Sequence, residues 1–231
     1  MLLNSPSNPT GAAYTQAELR GLGEVLLRHP QVLVGTDDIY EKIYWADEPF
    51  GSLAQVVPEL YPRTITINGC SKGYAMTGWR IGYCGGPAEV IAAMATIQGQ
   101  STTNAASISQ HAAIAALNGP EEDMARMNAS FKARHDYFVA GLNTLPGFRC
   151  LRGQGTFYAF ADVRGAMQKL GFADDVALCD FLLEEALVAG VPGSGFGAPG
   201  HLRLSFAVSE RNLEQALERI GEALARGPRR A

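Results

Sequence analysis

Cysteine is scarce. Cys70, Cys84, Cys150 and Cys179 are the four in 231 residues, none in a CxxC pair. That spacing suits neither a disulfide scaffold nor a zinc site, so reduced thiols, a cytoplasmic setting and no metal are expected. Histidine is equally rare: His29 ends a helix, His111 and His135 are expected within helices, and His201 leads into a strand. A structural or exposed role is expected for each. No long hydrophobic run exists; the most apolar helical stretch, Val90 to Ile97, is about half what a bilayer span needs, so no membrane segment is expected. The opening Met1-Leu2-Leu3-Asn4-Ser5-Pro6 lacks both a basic region and a full apolar region, so it does not read as a signal peptide. An excess of positive charge is also missing. Nineteen Lys and Arg face 23 Asp and Glu, for a net charge of -4. The longest basic run is Pro228-Arg229-Arg230, and a nucleic-acid surface is not expected.

What the chain does have is punctuation and a core. It carries 26 Gly and 12 Pro, and its 47% hydrophobic content is enough for a sizeable interior. At roughly 100–200 residues per domain, one large domain or two modest ones fit. Ser5-Pro6-Ser7-Asn8-Pro9-Thr10-Gly11 reads as a turn. Thr15 and Glu18 have capping-box spacing, opening a helix with Leu19, Leu22, Leu26 and Leu27 on its apolar face, stopped by Pro30. Short apolar runs at Val32–Val34, Thr64–Ile67 and Arg80–Cys84 predict strands, separated by helices or loops. Helices are predicted over Pro87–Gln98, Asn104–Leu117 and Glu121–Leu142, the last a long amphipathic one. Strands at Phe157–Phe160 and Leu202–Ala207 follow, flanked by helices over Asp174–Ala189 and Glu210–Ala225. The pattern predicts an α/β fold with its domain boundary near Gly119-Pro120, giving 1–120 and a smaller α/β unit at 121–231 led by the long helix.

Chemistry concentrates after the predicted strands, where open α/β sheets place ligands. Lys72 follows a β-like run and sits among Gly69, Ser71 and Gly73. An amine with that access is suited to form an imine with a carbonyl. Eight residues on, Arg80 offers a fork of donors for a phosphate. Ser71 is a second candidate phosphate contact, with local backbone bonding as its alternative. Asp37, at a strand end and three residues before Tyr40, is placed to pair with a buried cation; Asp38 is its competitor. Tyr40 and Asn8 can both donate to an oxygen beside that cation. Arg203, in an otherwise apolar strand, is costly unless it meets an anion, and its geometry suits an α-carboxylate. Gly195 and Gly197 mark a loop that could border the same site. Tyr74, Trp79 and Cys70 are read as packing residues.

Four groups in this order, Asn8-Pro9-Thr10-Gly11, Asp37-Asp38-Ile39-Tyr40, Ser71-Lys72-Gly73-Tyr74-Ala75-Met76-Thr77-Gly78-Trp79-Arg80 and Arg203-Leu204-Ser205, resemble the signatures of the class I/II pyridoxal-phosphate aminotransferases. The aspartate-aminotransferase-like branch is the nearest fit. The resemblance covers essentially the whole chain and implies a partial type I fold: the C-terminal part of the large cofactor-binding domain over 1–120, then the small C-terminal domain. It implies pyridoxal 5'-phosphate as cofactor, amino acids and 2-oxo acids as substrates, and a homodimer. It further implies that Lys72 forms the cofactor imine and moves the α-proton, and that Asp37 pairs with the pyridinium nitrogen. Asn8 and Tyr40 would bond the ring's 3'-oxygen, Arg80 and Ser71 the phosphate, and Arg203 the substrate α-carboxylate, with Asn8 beside it.

The chain departs from the family pattern in beginning near the Asn-Pro-Thr-Gly loop. It carries no counterpart of the glycine/alanine turn that binds the cofactor phosphate, nor of the aromatic that stacks on the ring. Either a fragment of a full enzyme or a natural truncation that needs a partner chain is therefore expected, with weak cofactor binding alone and apolar faces left open. Two other readings remain at this point: a C–S lyase or decarboxylating enzyme of the same fold, and a catalytically silent binding module.

Overall fold

The computed structural model describes residues 1–228; Arg229 and Arg230 of the terminal basic run lie outside the described residues. The chain clusters into two compact units, Met1–Ser7 with Ala13–Asn128, and Asn8–Ala12 with Ala129–Ala231. The boundary expected from sequence was Gly119-Pro120. In the structure the division falls inside the long helix, and the 8–12 loop belongs to the second unit.

The first unit contains β1 (Leu2–Asn4), α1 (Gln16–Leu27), β2 (Val34–Asp37), α2 (Leu53–Val56), β3 (Thr64–Gly69), β4 (Gly82–Gly85), α3 (Ala88–Gly99) and α4 (Ser107–Leu117). Its sheet runs β1-β2-β3-β4, with the first three strands parallel and β4 antiparallel to β3. The capping box forms as the spacing predicts: the Glu18 amide donates to the Thr15 hydroxyl at 3.1 Å, and the Thr15 amide to the Glu18 carboxylate at 2.8 Å. Such a cap stabilises a helix by about 1 kcal/mol. Leu19 and Leu26 bury against Val34, Leu53, Val57 and Leu60. Each buried leucine contributes roughly 1.5–3 kcal/mol. Leu27, expected on the same face, is 42% exposed, because one helical step turns it away from Leu26.

No basic residue stands in the last turn of α1. Arg63 does that work from a distance. Its guanidinium donates to the carbonyls of Leu26 at 2.6 Å, His29 at 2.8 Å and Val32 at 2.8 Å. It thereby adds a charged donor to one carbonyl at the end of α1 and two in the turn that follows.

Two strands begin later than the apolar runs suggested. β2 starts at Val34, where pairing with Thr64 begins, while Val32 donates back to the His29 carbonyl in the turn after α1. β4 starts at Gly82, because Arg80 takes a left-handed conformation (φ 51) that ends a short 3-10 turn over Thr77–Trp79. Trp79 itself is 45% exposed, not packed. Helices α3 and α4 carry apolar side chains outward: no residue of α3 is buried, Ile97 and Ile108 are each 71% exposed, and Ile114 is 58% exposed.

α5 (Glu121–Leu142) carries the chain onward to β5 (Arg149–Cys150), β6 (Tyr158–Asp162), α6 (Arg164–Leu170), α7 (Asp175–Ala186), β7 (Val191–Pro192), β8 (His201–Ser205) and α8 (Glu210–Arg226). The second sheet runs β5-β6-β8-β7, antiparallel throughout. Strict alternation sorts its side chains. Ala159, Ala161, Leu202 and Leu204 are buried, whereas Phe160, Asp162, His201 and Arg203 are only half-buried. Leu213, Ile220, Ala223 and Leu224 form the buried stripe of α8.

Candidate active site

In the first unit, one end of the sheet collects the polar residues. Register places Asn4 beside Asp37, Asp37 beside Ile67, and Gly69 beside Gly82. β3 runs two residues past Ile67, and the loops carrying Tyr40, Ser71-Lys72 and Arg80 all attach at that end of the sheet. This is the position where an open α/β sheet binds ligands.

Asp37 closes β2. Its main-chain carbonyl accepts from the Asn4 amide group at 3.0 Å, and its carboxylate accepts from the Ile39 N–H at 3.3 Å. Among the described residues no cation pairs with that carboxylate. Asp38 has the opposite environment. It is 4% exposed, its carboxylate accepts from the Thr36 hydroxyl, and burial pushes its carboxyl pKa up. Of the two consecutive acids, Asp37 is thus the one available to a ligand. Tyr40 follows in the turn and is buried, its carbonyl accepting from Ile43 at 2.8 Å.

The turn after β3 holds Ser71 and Lys72, both half-buried. It is closed by the Ala75 N–H donating to the Lys72 carbonyl at 3.2 Å and the Met76 N–H to the Cys70 carbonyl at 3.3 Å. Space for a side chain is tight on both sides of this turn. A Cβ at Gly69 would lie 3.1 Å from the Gly82 Cα, and one at Gly73 would lie 2.9 Å from the Lys42 Cβ. Cys70 is fully buried and its thiol pKa is raised by burial, which fits a packing role. Arg80 is exposed and donates to the Thr77 carbonyl at 3.0 Å. The Ser109 hydroxyl, on α4, donates to the Trp79 carbonyl at 2.7 Å and fixes the residue before it.

In the second unit, the Arg203 guanidinium donates to the Asn8 Oδ1 at 2.8 Å. Its carbon lies 4.4 Å from the centre of the Tyr158 ring and 4.9 Å from that of Phe196. No carboxylate neutralises it among the described residues. An arginine held by one amide oxygen and two aromatic faces keeps donors to offer an incoming anion.

Sequence had not singled out Tyr158, Phe196, Asn4 or Ser109. Tyr158 had a signal: strand alternation puts it on the face of Phe160, which pairs with Arg203. Phe196 lies within the glycine loop that was singled out, over Gly193–Phe196.

Asp37, Tyr40, Ser71, Lys72 and Arg80 therefore belong to the first unit, and Asn8 with Arg203 to the second. The donor set suits a ligand with a cationic ring nitrogen for Asp37, a carbonyl for Lys72 and a phosphate for Arg80. Residues 1–220 match the family profile described as aminotransferase class I and II, and the chain belongs to that family.

The chain is 48% identical over 230 residues to the aspartate/prephenate aminotransferase of Nitrosomonas europaea, covering 97% of this chain and 58% of the relative. It is 50% identical over 231 residues to an aspartate aminotransferase of Rhizobium meliloti, covering 98% and 56%. The crystal structure of the aspartate aminotransferase from Rhizobium meliloti superposes with a TM-score of 0.91 at 49% identity, over 97% of this chain and 57% of that one. Thermus thermophilus aspartate aminotransferase with maleate gives 0.83 at 40% identity, over 96% and 56%. The fold is a partial type I aminotransferase fold, and the chain spans a little over half the length of these relatives.

Proposed function

We propose that this chain carries the lysine-bearing and α-carboxylate-binding parts of an enzyme that transfers an amino group from an L-amino acid to a 2-oxo acid, with pyridoxal 5'-phosphate as cofactor. The observation that carries the reading is the shared sheet end of Asp37, Lys72 and Arg80. When bound, the cofactor supplies an electron sink for the carbanion left by loss of the α-proton. The rest falls to the chain's own groups. The Asp37 carboxylate holds a proton on the ring nitrogen. Tyr40 and Asn8 donate to the ring oxygen, and Arg80 with Ser71 binds the phosphate. Lys72 would hold the cofactor by its Nζ, and the same nitrogen would take and return the proton at the substrate Cα. Arg203 binds the carboxylate common to both substrates, so one arginine serves both halves of the transfer.

The relatives' names favour an acidic amino donor. A homodimer and a cytoplasmic location go with the reading. Among the described residues no helix is long and apolar enough to cross a membrane.

Lys42, Lys72, Lys132 and Lys169 are the only lysines in the sequence, which makes a covalent test tractable. Pyridoxal 5'-phosphate is added to the chain, reduced in place with borohydride, and the modified lysines are mapped by mass spectrometry. Labelling concentrated at Lys72, and reduced by Asp37→Asn, is expected. Labelling spread evenly over all four lysines would overturn the reading.

A further inference from the structure

His135 is the one histidine inside the protein, 2% exposed on α5. Its Nε2 accepts from the Gly153 N–H at 3.0 Å, so Nε2 is unprotonated and the ring proton sits on Nδ1, 3.0 Å from the Asp136 carboxylate. The ring also meets Phe206 edge-on, with centres 5.7 Å apart. From Gly153 the contacts continue to the loop that holds Asn8. The Gln154 and Gly155 amides both donate to the Gly11 carbonyl, at 2.8 and 3.1 Å. Gly11 is left-handed (φ 70), and a Cβ there would stand 2.8 Å from the Gly155 carbonyl. Three residues earlier, Asn8 accepts from Arg203 at 2.8 Å. All of these residues belong to the second unit.

We infer that His135 is a positioning residue for the carboxylate-binding Arg203, acting through the Gly153–Gly155 turn and the Asn8–Gly11 loop, and that protonating it releases that loop. The inference rests on the reading of Arg203 as the substrate-carboxylate group. Its physical basis is donor and acceptor count. A protonated ring carries N–H on both nitrogens, which sets the Nε2 proton against the Gly153 amide. Two donors facing each other in a buried place cannot both be satisfied, so the turn must move or the ring stay neutral. Burial favours the neutral ring most strongly, Arg152 and Lys132 add to it, and Asp136 opposes them. Lys132 also pairs with Asp136 at 2.7 Å, which blunts that opposition.

The sign follows directly. The ring's pKa is held below its ordinary value, so the anchor is complete at neutral pH and is lost as pH falls through the folded-state value.

The test is a pH titration of the isotope-labelled chain by NMR, following the His135 ring, the Gly153 amide and the Asn8 side-chain amide, with succinate as the carboxylate probe. The Gly153 and Asn8 signals are expected to move with the same apparent pKa as the His135 ring. Succinate affinity is expected to fall about tenfold across that transition, the scale of one buried hydrogen bond lost. His135→Gln, which can accept from Gly153 but does not titrate in this range, should flatten the Gly153 and Asn8 profiles and leave only the affinity loss due to protonation of succinate itself. If that variant fails to fold, the wild-type titration decides alone. A His135 ring that titrates while Asn8 stays silent overturns the inference. Signals that move together without succinate binding at any pH would uphold the linkage and instead overturn the assignment of Arg203.

Discussion

Arg203 and Asn8 stand 195 positions apart in sequence and 2.8 Å apart at their polar atoms. The asparagine orients a guanidinium that two aromatic rings already flank, so its fork is fixed before any anion arrives. Replacing Arg203 by lysine keeps the charge but removes the planar fork and weakens the aromatic stacking. Carboxylate affinity of Arg203→Lys should drop roughly tenfold or more, measured by calorimetry with succinate, while the melting temperature changes little. Equal affinity in the two proteins would show that the fork does not set binding.

Of the consecutive acids at the end of β2, Asp38 is the buried one. Asp38 has a raised carboxyl pKa, so the folded state favours its neutral form. That contribution is present at low pH and is lost as pH rises through the folded-state value. Asp38→Asn should therefore remove part of the stability lost between acid and neutral pH, read from melting temperature against pH. Asp37→Asn should lower lysine labelling.

Arg63 ties the end of α1 to the following turn with three carbonyl contacts, on Leu26, His29 and Val32. Arg63→Ala should cost about 1.5–3 kcal/mol, the range for bonds to a charged donor, measured by urea unfolding of the chain. A loss below half a kilocalorie would mean that water replaces the guanidinium at no penalty.

Gly11→Ala introduces a Cβ 2.8 Å from a backbone oxygen at a left-handed residue. Left-handed backbone alone costs roughly 1–2 kcal/mol outside glycine. The variant should be destabilised by at least that amount, and the Asn8 side-chain signal should broaden or shift even with His135 intact. An unchanged Asn8 signal would uncouple the loop from its glycine.

Much of this was legible beforehand because the telling residues are local. Thr15 and Glu18 announce their helix by spacing alone, and Glu121 to Leu142 is bounded as its pattern indicated. Lys72 stood out because glycines crowd it, and the structure gives the reason in close contacts with β4 and Lys42. What escaped was set by distant partners. The start of β2 depends on where Thr64 lies, and Arg80 left its strand because a left-handed turn ends there. Tyr158 becomes a partner of Arg203 through sheet register, and Phe196 through the fold of the glycine loop beside it. The role of Arg63 cannot be seen from sequence at all, since its acceptors are main-chain carbonyls 31 to 37 positions away.

β8 alternates Leu202 and Leu204 inward with Arg203 outward. Its reading frame is therefore shared by two unrelated tasks, since the step that seats the leucines also aims the guanidinium. A single-residue insertion within the strand would drive the cation into the hydrocarbon layer and turn a leucine toward the ligand. Changes of loop length on either side are free of that constraint. In this strand, selection for a folded interior and selection for anion recognition act on the same phase.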